Sequence, residues 1–115
     1  MVLFMGLVIG AENAVPTDQI SALQALYDST DGAHWHWHVV GAHWEFTGNP
    51  NPCLDGWQGI ECNSGCSSDP FSTCTITSLS LSGYNLEGNL PSELQLLASL
   101  DTLKLDSNTI SGTIP

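Results

Sequence analysis

The chain has 115 residues, enough for one domain or part of one, and 42% of them are hydrophobic. It carries 12 acidic residues against a single lysine, for a formal net charge of −11 at pH 7. One cation cannot neutralise a row of phosphates or a charged lipid surface, so this composition excludes a nucleic-acid-binding protein and a basic membrane-surface protein.

The chain begins with a short apolar segment. Positions 2–9 read VLFMGLVI, which is too short to span a bilayer and is typical of the hydrophobic part of a secretory signal. Residues 1–14 are therefore predicted to be a signal peptide, cleaved after Ala11 or Ala14, and a buried first strand is the alternative. No other segment approaches the roughly 20 apolar residues of a transmembrane helix. Membrane attachment is expected only through a segment downstream of this sequence.

An amphipathic helix is predicted at 18–29. Ile20, Leu23 and Leu26 fall on one face at helical spacing, and the Asp-Gly step before Ala33 ends the pattern. Thr17 or Asp18 can cap its first turn.

Residues 32–75 keep no sustained period and are rich in glycine, proline, asparagine, serine and cysteine. An even number of cysteines in a short chain with a predicted signal indicates disulfides. The four are Cys53, Cys62, Cys66 and Cys74, and the sequence by itself allows three pairings. Their spacing contains no C-x-x-C pair, so it does not favour a structural zinc site.

The segment GAHWHWHVVGAHW, from Gly32 to Trp44, contains all four histidines and three of the four tryptophans. In an extended strand, His34, His36 and His38 would share one face, and three imidazoles could hold zinc or copper. Neighbouring i and i+2 side chains rarely close a tetrahedral site unaided. We therefore expect the tryptophans to pack in the fold, and we keep a small histidine-loop metal-binding protein as an alternative.

Residues 76–115 contain an internal repeat with an offset of 24 positions. Aligning Ile76 with Leu100 matches apolar residues, glycines and prolines of the two copies. The further pairs are Leu79 with Leu103, Leu81 with Leu105, Leu86 with Ile110, Gly88 with Gly112, Leu90 with Ile114, and Pro91 with Pro115. A repeat of this length predicts an α/β solenoid.

The repeat also predicts which side chains are buried. The leucines of LSL and LKL should point inward from short strands, and Leu86, Leu90, Leu94 and Leu97 should continue the inward set. Asn108 should bond backbone groups at the bend after the second strand. Each coil buries its apolar face only against its neighbours, and the sequence stops in mid-repeat at Pro115. We therefore expect a fragment, or an end covered by something else.

Residues 76–115 resemble the plant-type leucine-rich repeat, with its run L-x-x-L-x-L-x-x-N-x-L-x-G-x-I-P. The preceding segments ALYDSTDGAHW and PCLDGWQGIEC are similar to the N-terminal cap of that family. The resemblance, which covers about 17–115, is to secreted or receptor-like leucine-rich-repeat proteins of plants, algae and water moulds. It implies a cap at 15–75 and repeats at 76–115.

The family resemblance implies a right-handed coil with a helical, disulfide-stapled cap, in which Cys53 pairs with Cys62 and, by elimination, Cys66 pairs with Cys74. It implies secretion or an extracellular location, with binding of a protein, peptide or glycan and neither a catalytic residue nor a cofactor. The alternative in a different class is the sensor end of a longer receptor-like kinase.

The family resemblance places ligand binding on the concave face of the strands. The side chains expected to point outward there are Ser78, Ser80, Ser82, Tyr84, Thr102, Lys104, Asp106 and Ser107. Tyr84 departs from the family pattern because it occupies the asparagine position of the first coil. The extra residues 36–43 and the loop between Cys66 and Cys74 are further departures.

Overall fold

The computed structural model describes residues 15–48, 50–67 and 73–112, and the predicted signal peptide lies outside them. The elements in chain order are helix α1 (Thr17–Ser29), a 3₁₀ helix (Gly32–His34), strand β1 (Ile60–Cys62), strand β2 (Ile76–Ser80), strand β3 (Glu87–Asn89), a second 3₁₀ helix (Ser92–Leu96), strand β4 (Thr102–Lys104) and strand β5 (Thr109–Ser111).

Helix α1 confirms the helix expected at 18–29. Its N-cap is Pro16 and no side chain caps the first turn, so the expected capping by Thr17 or Asp18 is wrong. Pro16 has an extended ψ of 141°, and its carbonyl oxygen accepts the N–H groups of Gln19 at 3.0 Å and Ile20 at 3.2 Å, so the helix starts without a side-chain acceptor. The buried side chain of Gln19 ties the helix to β2, since its Oε1 accepts the backbone N–H of Ile76 at 2.9 Å.

Strands β1, β2 and β4 form one sheet in that order. The parallel pair β2–β4 places Leu79 opposite Leu103, so the 24-residue offset of the sequence is the register of the sheet. Strand β1 runs antiparallel to β2, with Ile60 opposite Leu79. The first sheet is therefore extended by a strand that lies outside the repeats.

Strands β3 and β5 form a second sheet, in which they run parallel and Gly88 pairs with Ile110. The sequence alignment had matched Leu86 with Ile110, so the strands pair two residues away from the repeat alignment. A shift of two keeps each side chain on the same face of a strand, so the apolar pattern is preserved.

The hydrophobic core runs from helix α1 through the tryptophans into the first coil. Leu79, Leu81 and Leu86 are fully buried, and Leu94 and Leu97 are nearly so, as the repeat predicts. Leu90 is half-buried. The leucines and isoleucine of the second coil, Leu103, Leu105 and Ile110, are also only half-buried against this core.

Two disulfides join Cys53 to Cys62 and Cys66 to Cys74. These are the pairings that the family resemblance implied. They fasten the irregular segment between the 3₁₀ helix Gly32–His34 and β2, where regular secondary structure is short.

Asn108 bonds the backbone at the bend after β4, as predicted. Its Nδ2 donates to the carbonyl oxygens of Leu81 at 2.7 Å and Leu105 at 3.0 Å. Its Oδ1 accepts the N–H of Leu86 at 3.0 Å. One side chain thus connects the second coil to two backbone groups of the first.

We expect Asn108→Ala to lower the free energy of unfolding by about 1–3 kcal/mol, because it leaves part-buried backbone groups without a partner. For a domain of this size the loss corresponds to roughly 4–8 °C in Tm per kcal/mol. Thermal unfolding followed by circular dichroism measures it. Asn89→Ala is the matched control, because Asn89 is exposed and its Oδ1 accepts only the Ser111 hydroxyl among the described bonds. Equal losses in the two variants would contradict the role of Asn108.

Candidate binding face

The sheet formed by β1, β2 and β4 carries a polar face opposite its buried side chains. On β2, Ser78 and Ser80 alternate with the buried Leu79 and are half-exposed. The register places Ser78 beside Thr102 and Ser80 beside Lys104. The structure therefore brings together four of the residues that the sequence places on the concave face.

Strand β1 adds Glu61 to this face, and sequence reasoning missed it. Glu61 is exposed and lies directly opposite Ser78 in the antiparallel pair. The signal was present in the segment GIEC, where Ile60 and Cys62 alternate with the acid. The face thus holds hydroxyl groups between one acid and one lysine.

Ser82 and Asp106 lie at the edge of the face, two residues beyond the ends of β2 and β4. The Ser82 hydroxyl donates to Asp106 Oδ1 across a sequence separation of 24, so equivalent bends of the two coils are bonded. This hydrogen bond lowers the pKa of Asp106, and the positive charge of Lys104 makes a smaller contribution in the same direction. Asp106 and its neighbour Ser107 are exposed. A charged acceptor is therefore fixed at the edge of the face.

Tyr84 does not point outward, so its assignment to the binding face is wrong. Only 5% of the residue is exposed, and its hydroxyl donates to Gln58 Oε1 at 2.9 Å. Its ring stacks on that of His38 with centroids 3.9 Å apart. Burial raises the pKa of the phenol. A tyrosine at the asparagine position is buried because the segment before β1, and not an earlier coil, lies against this bend.

The bend around Tyr84 is bonded to the histidine segment through the backbone as well. The carbonyl oxygen of Tyr84 accepts the N–H of His36 at 2.8 Å, and Asn85 Nδ2 donates to the carbonyl oxygen of His34 at 3.0 Å. Residues 34–36 therefore lie where a preceding coil would otherwise lie.

Gln58 bonds the segment between Trp35 and Trp44, and nothing in the sequence singled this residue out. Only 4% of the residue is exposed. Its Nε2 donates to the carbonyl oxygens of His38 at 2.8 Å and Gly41 at 3.0 Å. Its Oε1 accepts the His38 N–H at 2.9 Å in addition to the Tyr84 hydroxyl. Both amide atoms are thus fully used inside the fold.

The tryptophans pack in the core, as expected. Trp35, Trp44 and Trp57 are each 4% exposed. The indole N–H of Trp35 donates to the carbonyl oxygen of Thr30 at 3.0 Å, and that of Trp44 donates to the carbonyl oxygen of Gln58 at 2.8 Å. The buried indoles therefore keep their polar atoms bonded.

The three histidines considered as metal ligands do not share one extended face. His34 belongs to the 3₁₀ helix Gly32–His34, and its Nδ1 bonds Asp31 Oδ1 at 2.8 Å, whereas His38 is stacked on Tyr84. Within residues 15–48, 50–67 and 73–112, these imidazoles form no group of three ligands within 4.8 Å of one another. The expected strand geometry is wrong because the chain turns at His34.

Asp31 raises the pKa of His34 above its ordinary value of 6.5, first through the hydrogen bond and then through its negative charge. Since the folded pKa is raised, this contact stabilises the fold below pH 6.5, and its contribution is lost as pH rises through the folded pKa. We expect Asp31→Asn to lower the pKa of His34, measured by NMR titration of the imidazole. Asp28→Asn, which changes another exposed acid, should leave it unchanged. A His34 pKa that is the same in wild type and Asp31→Asn would refute the contact.

Among the described helices, none has both the length and the apolar composition needed to cross a membrane.

No protein-family model matches the chain. The chain is 35% identical over 97 residues to Protein STRUBBELIG-RECEPTOR FAMILY 5 of Arabidopsis thaliana, covering 84% of the chain and 12% of that protein. It is 32% identical over 112 residues to Protein MALE DISCOVERER 2 of the same plant, covering 97% of the chain and 15% of the relative. The chain thus spans a small part of the curated relatives it matches.

Solved structures match a similar share of the chain. A crystal structure of the BIR3–SERK2 complex from Arabidopsis thaliana matches with a TM-score of 0.60 and 28% identity, covering 84% of the chain and 46% of the matched chain. A leucine-rich repeat protein from Bacteroides eggerthii matches with a TM-score of 0.56 and 26% identity, and the match covers 81% of this chain and 13% of the Bacteroides chain. The curated relatives and the solved structures therefore agree on the kind of protein that this chain resembles.

Proposed function

We propose that this chain, a plant-type leucine-rich-repeat protein, is the start of an extracellular recognition module that binds a ligand without catalysing a reaction. In this proposal residues 1–14 are a signal peptide, 15–75 form the N-terminal cap, and 76–115 begin a right-handed solenoid. The relatives and structural neighbours named above each match between 81% and 97% of the chain, which supports this proposal.

The observation that carries the proposal is the exposed polar face of β1, β2 and β4. Glu61, Ser78, Ser80, Thr102 and Lys104 lie on adjacent strands in fixed register. Hydroxyl groups donate and accept hydrogen bonds, and Glu61 and Lys104 add one negative and one positive charge to the same face. Such a face can bond a peptide backbone or the side chains of a protein surface.

A protein or peptide ligand is favoured over a glycan. One structural neighbour is a complex between two Arabidopsis proteins, which supports a protein partner for a chain of this fold. The excess of acids over the single lysine favours a ligand that is neutral or basic.

The experiment uses peptides selected from a random display library against the immobilised chain. We expect most selected peptides to lose about tenfold or more in affinity for the triple variant Ser80→Ala, Lys104→Ala, Asp106→Ala, since removing a few hydrogen bonds costs at least 1.4 kcal/mol. The Tm should stay within about 3 °C of wild type, because these side chains are at the surface.

The matched control is Ser92→Ala, Gln95→Ala, Ser99→Ala, which changes exposed residues at and beside the second 3₁₀ helix. This variant should keep full affinity. If selected peptides bind the face variant as tightly as wild type, the ligand site lies elsewhere.

A longer receptor-like kinase is the second candidate, because one matched relative is named a probable leucine-rich repeat receptor-like protein kinase. That relative is 30% identical to this chain, and the match covers 75% of this chain and 9% of the relative. The full-length reading frame tests it. Further 24-residue coils, an apolar helix of about 20 residues and a kinase domain would support it. A frame that ends after a few coils would contradict it.

A further inference from the structure

We propose that a groove in the cap is a second binding site, for a basic peptide segment that carries an apolar anchor side chain. This cap groove is lined by helix α1, by the segments 46–48 and 50–55, and by Glu93 of the second 3₁₀ helix. Its volume is about 1010 Å³, and it is open to solvent. None of its lining residues belongs to the polar face of β1, β2 and β4, so this site does not rest on the proposed function.

The cap groove exposes apolar surface that the fold itself does not cover. Leu54 is 41% exposed, and Ile20 and Phe46 are half-buried. On the helix, the neighbouring Ser21 and Ala25 are small, so they leave room between the helix and the segment 50–55. An aliphatic or aromatic side chain of a ligand that entered this space would remove the exposed apolar surface from water.

The cap groove also carries three carboxylates without a lysine or arginine. Asp28, Asp55 and Glu93 are exposed and come from the helix, the segment 50–55 and the second 3₁₀ helix. The sequence has a single Lys or Arg, Lys104, which lies on β4 and does not line the groove. No basic side chain of that kind in this chain can therefore neutralise the three acids, and a ligand with several cations complements them.

The acids are too dispersed to hold one metal ion. A calcium site needs several oxygens that converge at about 2.3–2.6 Å from the ion. Among the residues that the structure describes, the carboxylates of the cap groove do not form a group of three within 4.8 Å of one another. Separate charges along an open groove suit the spaced Lys and Arg side chains of an extended peptide.

The segment 50–55 is held in shape by its own hydrogen bonds. Asn51 Oδ1 accepts the N–H groups of Cys53 and Leu54, both at 3.1 Å. The backbone N–H of Asn51 donates to Asp55 Oδ2 at 3.0 Å, and the Asp55 N–H donates to the Asn51 carbonyl oxygen at 2.8 Å. The position of Leu54 and of the Asp55 carboxylate is therefore set before a ligand binds.

This side of the groove is anchored to the rest of the cap as well. Cys53 is bonded to Cys62 of β1, and the two disulfides lie side by side, since the Sγ atoms of Cys53, Cys66 and Cys74 are within 4.8 Å of one another. The ring of Phe46 packs edge-on against two other aromatic rings, with centroids 5.0 and 5.7 Å away. A preformed groove loses little conformational freedom on binding, which favours affinity.

The test uses the isotope-labelled, disulfide-bonded chain and the synthetic peptide Lys-Arg-Leu-Phe-Lys-Arg, followed by NMR. We expect the peptide to shift the amide signals of Ser21, Gln24 and Leu54, which line the groove, and not those of Ser80 and Lys104. A second peptide has serine in place of leucine and phenylalanine, and a third has glutamine in place of the cations. Each should bind about fivefold more weakly or worse, because it lacks the apolar or the charged part of the match.

Two variants of the chain test the two parts of the groove separately. Asp28→Asn, Asp55→Asn, Glu93→Gln should weaken binding of the first peptide by about tenfold, since each exposed ion pair contributes roughly two- to fivefold. Asparagine at position 55 keeps an oxygen for the Asn51 N–H, so the segment stays in place. Leu54→Ser should weaken binding of the first peptide but not that of the peptide without leucine and phenylalanine.

The matched control is Glu45→Gln, Glu87→Gln, Asp101→Asn, which removes the same charge from exposed residues outside the groove. It should bind the first peptide within about twofold of wild type. A loss in this control equal to that in the groove variant, equal binding of the three peptides, or no shift at millimolar peptide would each overturn the site. Shifts centred on β1, β2 and β4 would also overturn it while supporting the proposed function, so the two proposals fail separately.

Discussion

Gly88→Ala should lower the free energy of unfolding by about 3 kcal/mol. Gly88 has a φ of +130°, which L side chains rarely adopt. A Cβ there would lie 2.3 Å from the carbonyl oxygen of Ser29, at the end of helix α1. Because this oxygen belongs to the backbone, either the helix end or β3 must move. The backbone strain and the displaced packing together account for the expected loss.

Urea unfolding followed by tryptophan emission measures the loss at Gly88. Gly83→Ala is the matched control, because Gly83 also has a positive φ, +73°, but a Cβ there meets nothing within 4 Å. We expect that variant to lose about 1 kcal/mol from strain by itself. Gly65→Ala, whose Cβ would be 3.5 Å from Asn63 Nδ2 and whose φ is not positive, should lie within about 0.5 kcal/mol of wild type. Equal effects at Gly88 and Gly83 would contradict the close approach to the helix.

Gln58→Leu should lower the free energy of unfolding by about 3–5 kcal/mol. The substitution keeps a side chain of similar size but leaves the His38 N–H, two carbonyl oxygens and the Tyr84 hydroxyl without their partner. Each buried polar group left unbonded costs about 1–3 kcal/mol, less where it can reach water. The loss corresponds to roughly 4–8 °C in Tm per kcal/mol.

Gln95→Leu is the matched control for Gln58, because Gln95 is exposed on the second 3₁₀ helix. It should change the stability by less than about 0.5 kcal/mol. Tyr84→Phe removes only the hydroxyl that donates to Gln58 and should cost about 1 kcal/mol, with no change in the aromatic packing. If the Tm of Gln58→Leu lies within 3 °C of the wild-type Tm, the Gln58 amide does not hold the segment that contains His38 and Gly41.

Much of the fold was predictable because its signals are local or periodic. The apolar spacing of Ile20, Leu23 and Leu26 predicted helix α1, which Thr17–Ser29 confirms. The 24-residue repeat predicted the pairing of Leu79 with Leu103. Asn108 was predicted because an asparagine at a bend has few uses other than bonding the backbone around it.

The candidate site was predictable only where it follows the repeat. Ser78, Ser80, Thr102 and Lys104 alternate with leucines, so their outward position follows from the pleat of the strand. Glu61 was missed because β1 joins the sheet from outside the repeat, in the reverse direction. Tyr84 was wrongly placed outward because its repeat position, by itself, gives no information on what lies against the first coil.

The sequence by itself determined the helix, the register of β2 with β4, the inward leucines and the bond of Asn108, since each depends on spacing along the chain. Only the tertiary structure decided that Tyr84 is buried, that Gln58 joins the histidine segment to the first coil, and that both disulfides lie side by side. The physical reason is that an amide, a phenol or a thiol can bond many partners. Which partner each one meets depends on segments distant in sequence, such as His38 and Tyr84, that become neighbours only on folding.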